Sequence, residues 1–327
     1  MSEASGVPAL DDVLPLLRCP HCHGALGRGA AGDAVRCADG HTFDVARQGY
    51  LSLLAGGGAP HAGDTAEMVA ARERFLGAGH FEPLAEALAE AVGGAAAGAG
   101  RGPACVVDLG AGPGWYLARV LDAWPAATGL ALDVSKPALR RAARAHPRLA
   151  AVACDVWRPL PVRDGVAAVV LDVFAPRDGD EIARVLVPGG LAALVTPRPG
   201  HLHELAEPLG LLGIDEQKET RLVDRLEPAL AIADRRELTW TLRLDRAGAR
   251  DAAAMGPSAF HLAPAALDER AAALPQLLDV TAAVTITLAT AVAPRAQPPA
   301  PAAGASAAGR LRTRPASHPP RSPGDTG

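Results

Sequence analysis

No stretch of this chain is long and apolar enough to span a bilayer, which argues against a helical membrane protein. The opening residues Met1-Ser2-Glu3-Ala4 lack the basic and apolar regions of a secretory signal, so a cytoplasmic location is expected. Lysine is nearly missing, with only Lys136 and Lys218, and arginine carries the remaining positive charge. Because alanine is abundant throughout, this reads as the coding bias of a GC-rich genome and not as chemistry. An excess of positive charge is missing too: the formal balance is −4, so the chain as a whole is no general polyanion binder. Cys105 and Cys154 stand singly without an evident disulfide partner, which suits a reducing compartment. At 327 residues the chain is long enough for one large domain with a small appendage.

The remaining cysteines are grouped. Cys19-Pro20-His21-Cys22 and Cys37-Ala38-Asp39-Gly40-His41 form two short knuckles whose separation lets Cys19, Cys22, Cys37 and His41 close a tetrahedron around one zinc ion. Gly24 and Gly40 supply the tight turns. The segment is too short to build its own core, so metal would contribute much of its folding free energy. A redox Cys-x-x-Cys is the plainer alternative, but no strand-then-helix pattern surrounds Cys19 and Cys22. His21 and His23 remain possible ligands, His41 being preferred for its outer position in the second pair.

Along the chain, the apolar stretch Val13 to Leu17 is expected to pack on the knuckles, and the zinc module to end in short strands at Phe43–Val45 and Tyr50–Leu54. Gly56-Gly57-Gly58-Ala59-Pro60 reads as a hinge. Asp64-Thr65-Ala66-Glu67 resembles a helix start, with Gly77 and Gly79 as stop signals, and a second helix is expected over Pro83–Val92, followed by a loop from Gly93 to Gly102. From Cys105 strand-like runs alternate with helical ones, at Cys105–Val107, Gly129–Leu132, Ala150–Ala153, Val166–Leu171 and Leu191–Val195. That alternation predicts a mostly parallel sheet with helices on both faces, closed by an antiparallel pair at Leu238–Leu242 and Val284–Leu288. The Pro-, Ala- and Arg-rich tail from Pro294 reads as disordered.

Val106-Val107-Asp108-Leu109-Gly110-Ala111-Gly112-Pro113-Gly114 joins the first of these strands to its helix, and Gly110, Gly112 and Gly114 allow a nucleotide to approach the backbone closely. Alone, such a loop is an ordinary tight turn. Its neighbours decide the matter: Asp108, directly before it, would repel a pyrophosphate but suits the sulfonium and amino groups of S-adenosylmethionine, and the spacing departs from the dinucleotide fingerprint. Asp133 ends the next strand, where a carboxylate can hold both ribose hydroxyls; Asp155 ends the third, a candidate for the adenine amino group; Asp172 ends the fourth. Four carboxylates at one sheet edge favour a methyltransferase over an NAD enzyme.

These residues resemble the bacterial 23S rRNA guanine-N1 methyltransferases, a family that includes the tylosin and macrolide-resistance enzymes. The resemblance runs from about Arg18 to Ala291 and rests on Cys19-Pro20-His21-Cys22, Gly40-His41-Thr42-Phe43-Asp44, Gln48-Gly49-Tyr50, Gly63 to Met68, Ala78-Gly79-His80-Phe81 and Leu132 to Lys136. It implies an α/β fold: a Rossmann-like class I methyltransferase domain with a small N-terminal zinc-binding module that helps recognise a 23S rRNA hairpin. It places zinc on Cys19, Cys22, Cys37 and His41, and cofactor contacts on Phe81, Gly112, Pro113 and His201. Relatives often have Tyr where this chain has Phe81, leaving only ring packing there, and Pro113 replaces an acidic residue found in some of them. A homodimer through the zinc modules is implied by resemblance alone.

The expected organisation is a zinc-binding RNA-recognition module at 1–55, a hinge and helical cap at 56–104, the S-adenosylmethionine-dependent domain at 105–291 and the tail at 292–327. Methyl transfer to guanine N1 leaves a proton to be accepted; Asp172 is the candidate base, with Asp64 and Glu67 as runners-up. For RNA, Lys136, Arg140, Arg144 and Arg148 repeat every four residues and would share one helix face, though such stripes are commonly solvated surface; Arg18, Arg28, Arg36 and Arg47 are alternative phosphate contacts. A small-molecule methyltransferase with a structural zinc module is the alternative function.

Overall fold

A computed structural model of the chain describes residues 8–29, 34–54, 63–98, 104–175, 178–211 and, apart from 227, 226–292. The glycine-rich hinge at 56–60 and the tail from Pro294 lie outside the described residues.

The chain opens with α1 (Pro8–Val13) and a 3-10 turn, then a three-stranded antiparallel sheet of β1 (Leu26–Arg28), β2 (Ala34–Cys37) and β3 (Thr42–Asp44). β4 (Leu51–Ser52) follows, and then the cap helices α2 (Ala66–Gly77) and α3 (Glu82–Gly98). The remainder alternates: β5 (Ala104–Leu109), α4 (Trp115–Ala123), β6 (Ala127–Asp133), α5 (Lys136–Ala142), β7 (Leu149–Ala153), β8 (Ala167–Val173), α6 (Gly179–Val185), β9 (Leu186–Pro197) and α7 (His203–Leu209). It closes with β10 (Leu230–Asp245), α8 (Arg246–Ala254), α9 (Pro264–Ala273) and β11 (Leu277–Ala291).

The large sheet runs β10-β11-β9-β8-β5-β6-β7-β4 and is parallel from β9 to β4, with β11 and β10 antiparallel at the other edge. All six residues of β5 are buried. Successive side chains alternate between faces, so Val106 joins one apolar layer while Cys105, Val107 and Leu109 join the other. The first layer is covered by α2 to α5 and α7 to α9. The second is covered differently. Between β7 and β8 the described chain forms turns and no helix, and α1 with the small sheet lies over that face: Leu10, Val13, Leu17, Cys19, Leu26, Val35 and Phe43 share a core with Leu130, Val152 and Val170. Backbone contacts reinforce this, since Arg18 N–H donates to Pro161 O (3.0 Å) and Arg163 N–H to Leu16 O (2.8 Å).

Two expectations change. Leu51–Ser52, read as the end of the zinc module, pairs in parallel with Val152 and Ala153 and is the edge strand of the large sheet. The second cap helix passes Val92 and continues through Gly93 to Gly98, because an alanine-rich run has enough helix propensity to carry its glycines. Thr65 caps α2 as its sequence suggested, its hydroxyl accepting from Met68 N–H at 3.2 Å.

Candidate metal centre and cofactor site

The two knuckles fold by backbone hydrogen bonds. Cys19 N–H donates to Gly24 O (2.8 Å) and His23 N–H to Cys19 O (2.9 Å), while Cys37 N–H donates to His41 O and Gly40 N–H to Cys37 O, each at 3.1 Å. Gly40 sits at φ +85°, a left-handed turn that returns His41 toward Cys37. The ligand atoms of Cys19, Cys22, Cys37 and His41 all lie within 4.8 Å of one another. His41 Nδ1 is 3.3 Å from Cys37 Sγ and 3.6 Å from Cys19 Sγ, and Cys22 Sγ is 3.6 Å from Cys37 Sγ. A tetrahedral zinc with Zn–S bonds of about 2.3 Å sets its ligands about 3.8 Å apart, so three thiols and this imidazole fit the ion. His21 is outside the group; its ring stacks on His41 (4.9 Å) and Phe43 (5.9 Å) and buttresses the ligand. His23, exposed at φ +59°, is outside it too.

The second site lies at the carboxyl edge of the large sheet. Gly110 (φ +64°) leaves no room for a side chain: a Cβ there would stand 2.6 Å from Ala175 Cβ. Gly112 (φ +55°) is the close approach, where a Cβ would come within 3.2 Å of the Arg72 guanidinium. Gly114 begins α4, and Pro113 before it is buried, lying beside the half-buried Trp115. Asp133 ties this loop to the next strand end by accepting Gly112 N–H (2.8 Å) and Ser135 N–H (2.7 Å). Asp108 and Asp172 are 2 % and 0 % exposed and lie on neighbouring strands, Leu109 pairing with Asp172. Burial pushes the Asp108 carboxyl well above the ordinary range, and the charges of Asp172 and Asp133 add to it. Burial also raises Asp133, against the pull of its two backbone hydrogen bonds.

Asp155 accepts Trp157 N–H (3.0 Å) and opens on a cavity of about 280 Å³ shared with Arg18, Pro20 and His23 of the zinc module. Phe81 is buried and packs edge-on to Phe75, Trp240 and His201, with ring centroids 5.3, 5.4 and 6.0 Å away. Phe174, at φ +59°, completes the cluster at 6.3 Å from Phe81 and 5.8 Å from His201. Burial lowers His201 to about 4, and its Nδ1 accepts Ala283 N–H (3.1 Å), so a neutral ring with its proton on Nε2 is the form that fits. The sequence reading did not single out Phe75, Phe174 or Trp240. In a chain with only 3 % aromatic residues, their gathering from three distant segments is a fold property that no local pattern displays.

Over this edge sits the cap. Ser135 Oγ donates to Asp64 O (2.7 Å), Arg72 pairs with the Asp64 carboxylate and donates to Met255 O (2.6 Å), and Arg74 grips Asp251 through two bonds of 2.8 and 2.6 Å. Glu67, the other runner-up base, pairs with Arg250 at 3.1 Å.

The expected basic stripe is corrected. α5 ends at Ala142, so Arg144 and Arg148 leave the face of Lys136 and Arg140. The Arg148 guanidinium instead clamps the backbone, donating to Trp124 O (3.0 Å) and to the carbonyls of Leu121 and Ala127. Of the alternatives, Arg18 is spent on Leu160 O and Asp164, and Arg28 on Asp11, whereas Arg36 and Arg47 are exposed.

Residues 17–55 match the family model described as RlmA, N-terminal, a zinc ribbon, and residues 106–190 match a methyltransferase domain model. The chain is 50% identical over 277 residues to the 23S rRNA (guanine(748)-N(1))-methyltransferase of Streptomyces fradiae, an alignment covering 85% of this chain and 97% of that one. A Micromonospora griseorubida protein named for 23S rRNA (guanine-N(1)-)-methylation is 51% identical over 287 residues, 84% of this chain and 97% of its own. Bacillus subtilis YxjB, named for the same activity, is 32% identical over 197 residues, 59% of this chain and 68% of its own. Fold and sites together thus define a Rossmann-like, S-adenosylmethionine-dependent methyltransferase carrying a zinc ribbon. More particularly, the chain belongs to the 23S rRNA (guanine-N1)-methyltransferase family.

Proposed function

We propose that this protein methylates N1 of one guanine in a 23S rRNA hairpin, in the macrolide-resistance branch of its family and in the cytoplasm. The observation that carries the reading is the continuity of the ribbon with the sheet: a metal-built module with exposed Arg36 and Arg47 shares one core with the strands whose ends hold the cofactor loop. The chain spans 97% of the length of its Streptomyces fradiae relative, whose name states the same reaction on guanine 748. A homodimer through the ribbons remains part of the proposal.

In this reading S-adenosylmethionine supplies an electrophilic methyl group on a cationic sulfur. Gly110 and Gly112 supply the left-handed turns that shape the loop for the methionine end, Asp108 and Asp172 place negative charge against its cationic groups, Asp133 addresses the ribose and Asp155 the adenine edge. The Phe81, His201 and Phe174 rings exclude water from the transfer path. Asp172 is the proposed acceptor of the N1 proton; being fully buried, it requires the left-handed turn at Phe174 to open for the guanine. The base itself must be unstacked or already in a loop.

Purified protein, labelled S-adenosylmethionine and unmethylated 23S rRNA test the proposal, with primer extension locating the stop. A single stop at one hairpin guanine is expected; label entering metabolites but no rRNA would instead establish the small-molecule alternative.

A further inference from the structure

The cofactor edge is dominated by like charge, with Asp64, Asp108, Asp133 and Asp172 all around the loop that runs from β5 to α4. Carboxylates answer the sulfonium and the ammonium of S-adenosylmethionine. The methionine end also carries a carboxylate, and that group needs a cation of its own.

Arg72 is the cation whose charge reaches Asp133, and it also acts on Tyr116 in the first turn of α4. Its Nη1 stands 3.2 Å from where a side chain at Gly112 would begin, so the absence of that side chain leaves guanidinium and loop face to face. The side chain is 26% exposed, neither solvated nor sealed. Of the five N–H donors of a guanidinium, one is given to Asp64 and one to the Met255 carbonyl at 2.6 Å, which fixes the plane and leaves the others to a ligand. Asp64 is itself anchored, its backbone oxygen accepting from Ser135 Oγ.

We propose that Arg72 receives the carboxylate of the cofactor's methionine end, with Asp64 and Met255 O holding the guanidinium in place. The inference rests on S-adenosylmethionine being the methyl donor. It makes the cap helix α2 part of the cofactor site, and it separates Arg72 from Arg74 two residues on, whose pairing with Asp251 only fastens α2 to α8.

Calorimetric binding of two ligands decides it: S-adenosylhomocysteine and its decarboxylated analogue, which keeps the amine and lacks only the carboxylate. The wild type is expected to bind the first roughly 10- to 100-fold more tightly, as a charge-assisted pair in a half-buried site implies. R72M lowers S-adenosylhomocysteine to the level of the analogue and leaves the analogue unchanged, and R72K restores part of the difference. Equal affinities in the wild type, or an equal loss of both ligands in R72M, overturns the proposal. Should R72M fail to fold, the wild-type comparison decides alone. A wild type that binds neither ligand removes the methyl-donor reading itself, and this proposal with it.

Discussion

At the scale of single residues, the cofactor edge concentrates groups whose ionisation is out of its ordinary place. Asp108 carries a proton well past the usual carboxylate range, chiefly through burial and further through Asp172 and Asp133. A raised carboxyl stabilises the fold below its ordinary value of 3.8, and that contribution is lost as pH climbs through the raised one. A cationic ligand prefers the ionised form, so S-adenosylmethionine should expel a proton on binding, and its affinity should rise with pH above the ordinary carboxylate range. Calorimetry in buffers of different ionisation enthalpy measures that proton, and D108N should bind several-fold more weakly with a flat pH dependence. The place of Asp108 at the carboxyl edge of the sheet was legible because its position before a glycine turn is a local pattern. Its protonation was not, since the burial chiefly responsible comes from the assembled sheet and the charges that add to it arrive from β6 and β8.

At the scale of elements, the same division between near and distant partners holds. Thr65 acts on a neighbour three residues on and the two zinc knuckles lie within one short segment, and both were readable. β4 was read as the end of the zinc module because its partner β7 lies about a hundred residues further on. Arg148 looked like one of a surface row because spacing alone cannot tell that a helix stops at Ala142. Its clamp on three carbonyls at the α4–β6 turn makes it structural, and R148A should cost about 2 kcal/mol by denaturant unfolding, from lost charge-assisted hydrogen bonds. The Michaelis constant for rRNA and its salt dependence should stay as in the wild type; a reduced salt slope would instead return Arg148 to the RNA surface.

At the scale of the whole molecule, the ribbon is a wall of the methyltransferase core, because Cys19, Cys37, Val35 and Phe43 pack in one layer with residues of β5 to β9. Metal removal is therefore felt throughout. Chelation, or C37S, should lower Tm by roughly 10 °C or more in a single cooperative transition that scanning calorimetry resolves, as a structural zinc contributing several kcal/mol implies. Two separate transitions, the lower one alone sensitive to chelator, would show that the ribbon unfolds independently. This sharing was outside the reach of sequence reading, which treats the segment before the glycine hinge as a self-contained unit.

The bridge from Leu17 to Val162 and the pairing of β4 with β7 have one more consequence. They weld the ribbon to the sheet whose strand ends carry the glycine loop, with no pivot between them among the described residues. On the proposed reading, in which the ribbon grips the hairpin, an enzyme built so would work as a ruler, choosing the guanine that lies at a set span from that grip.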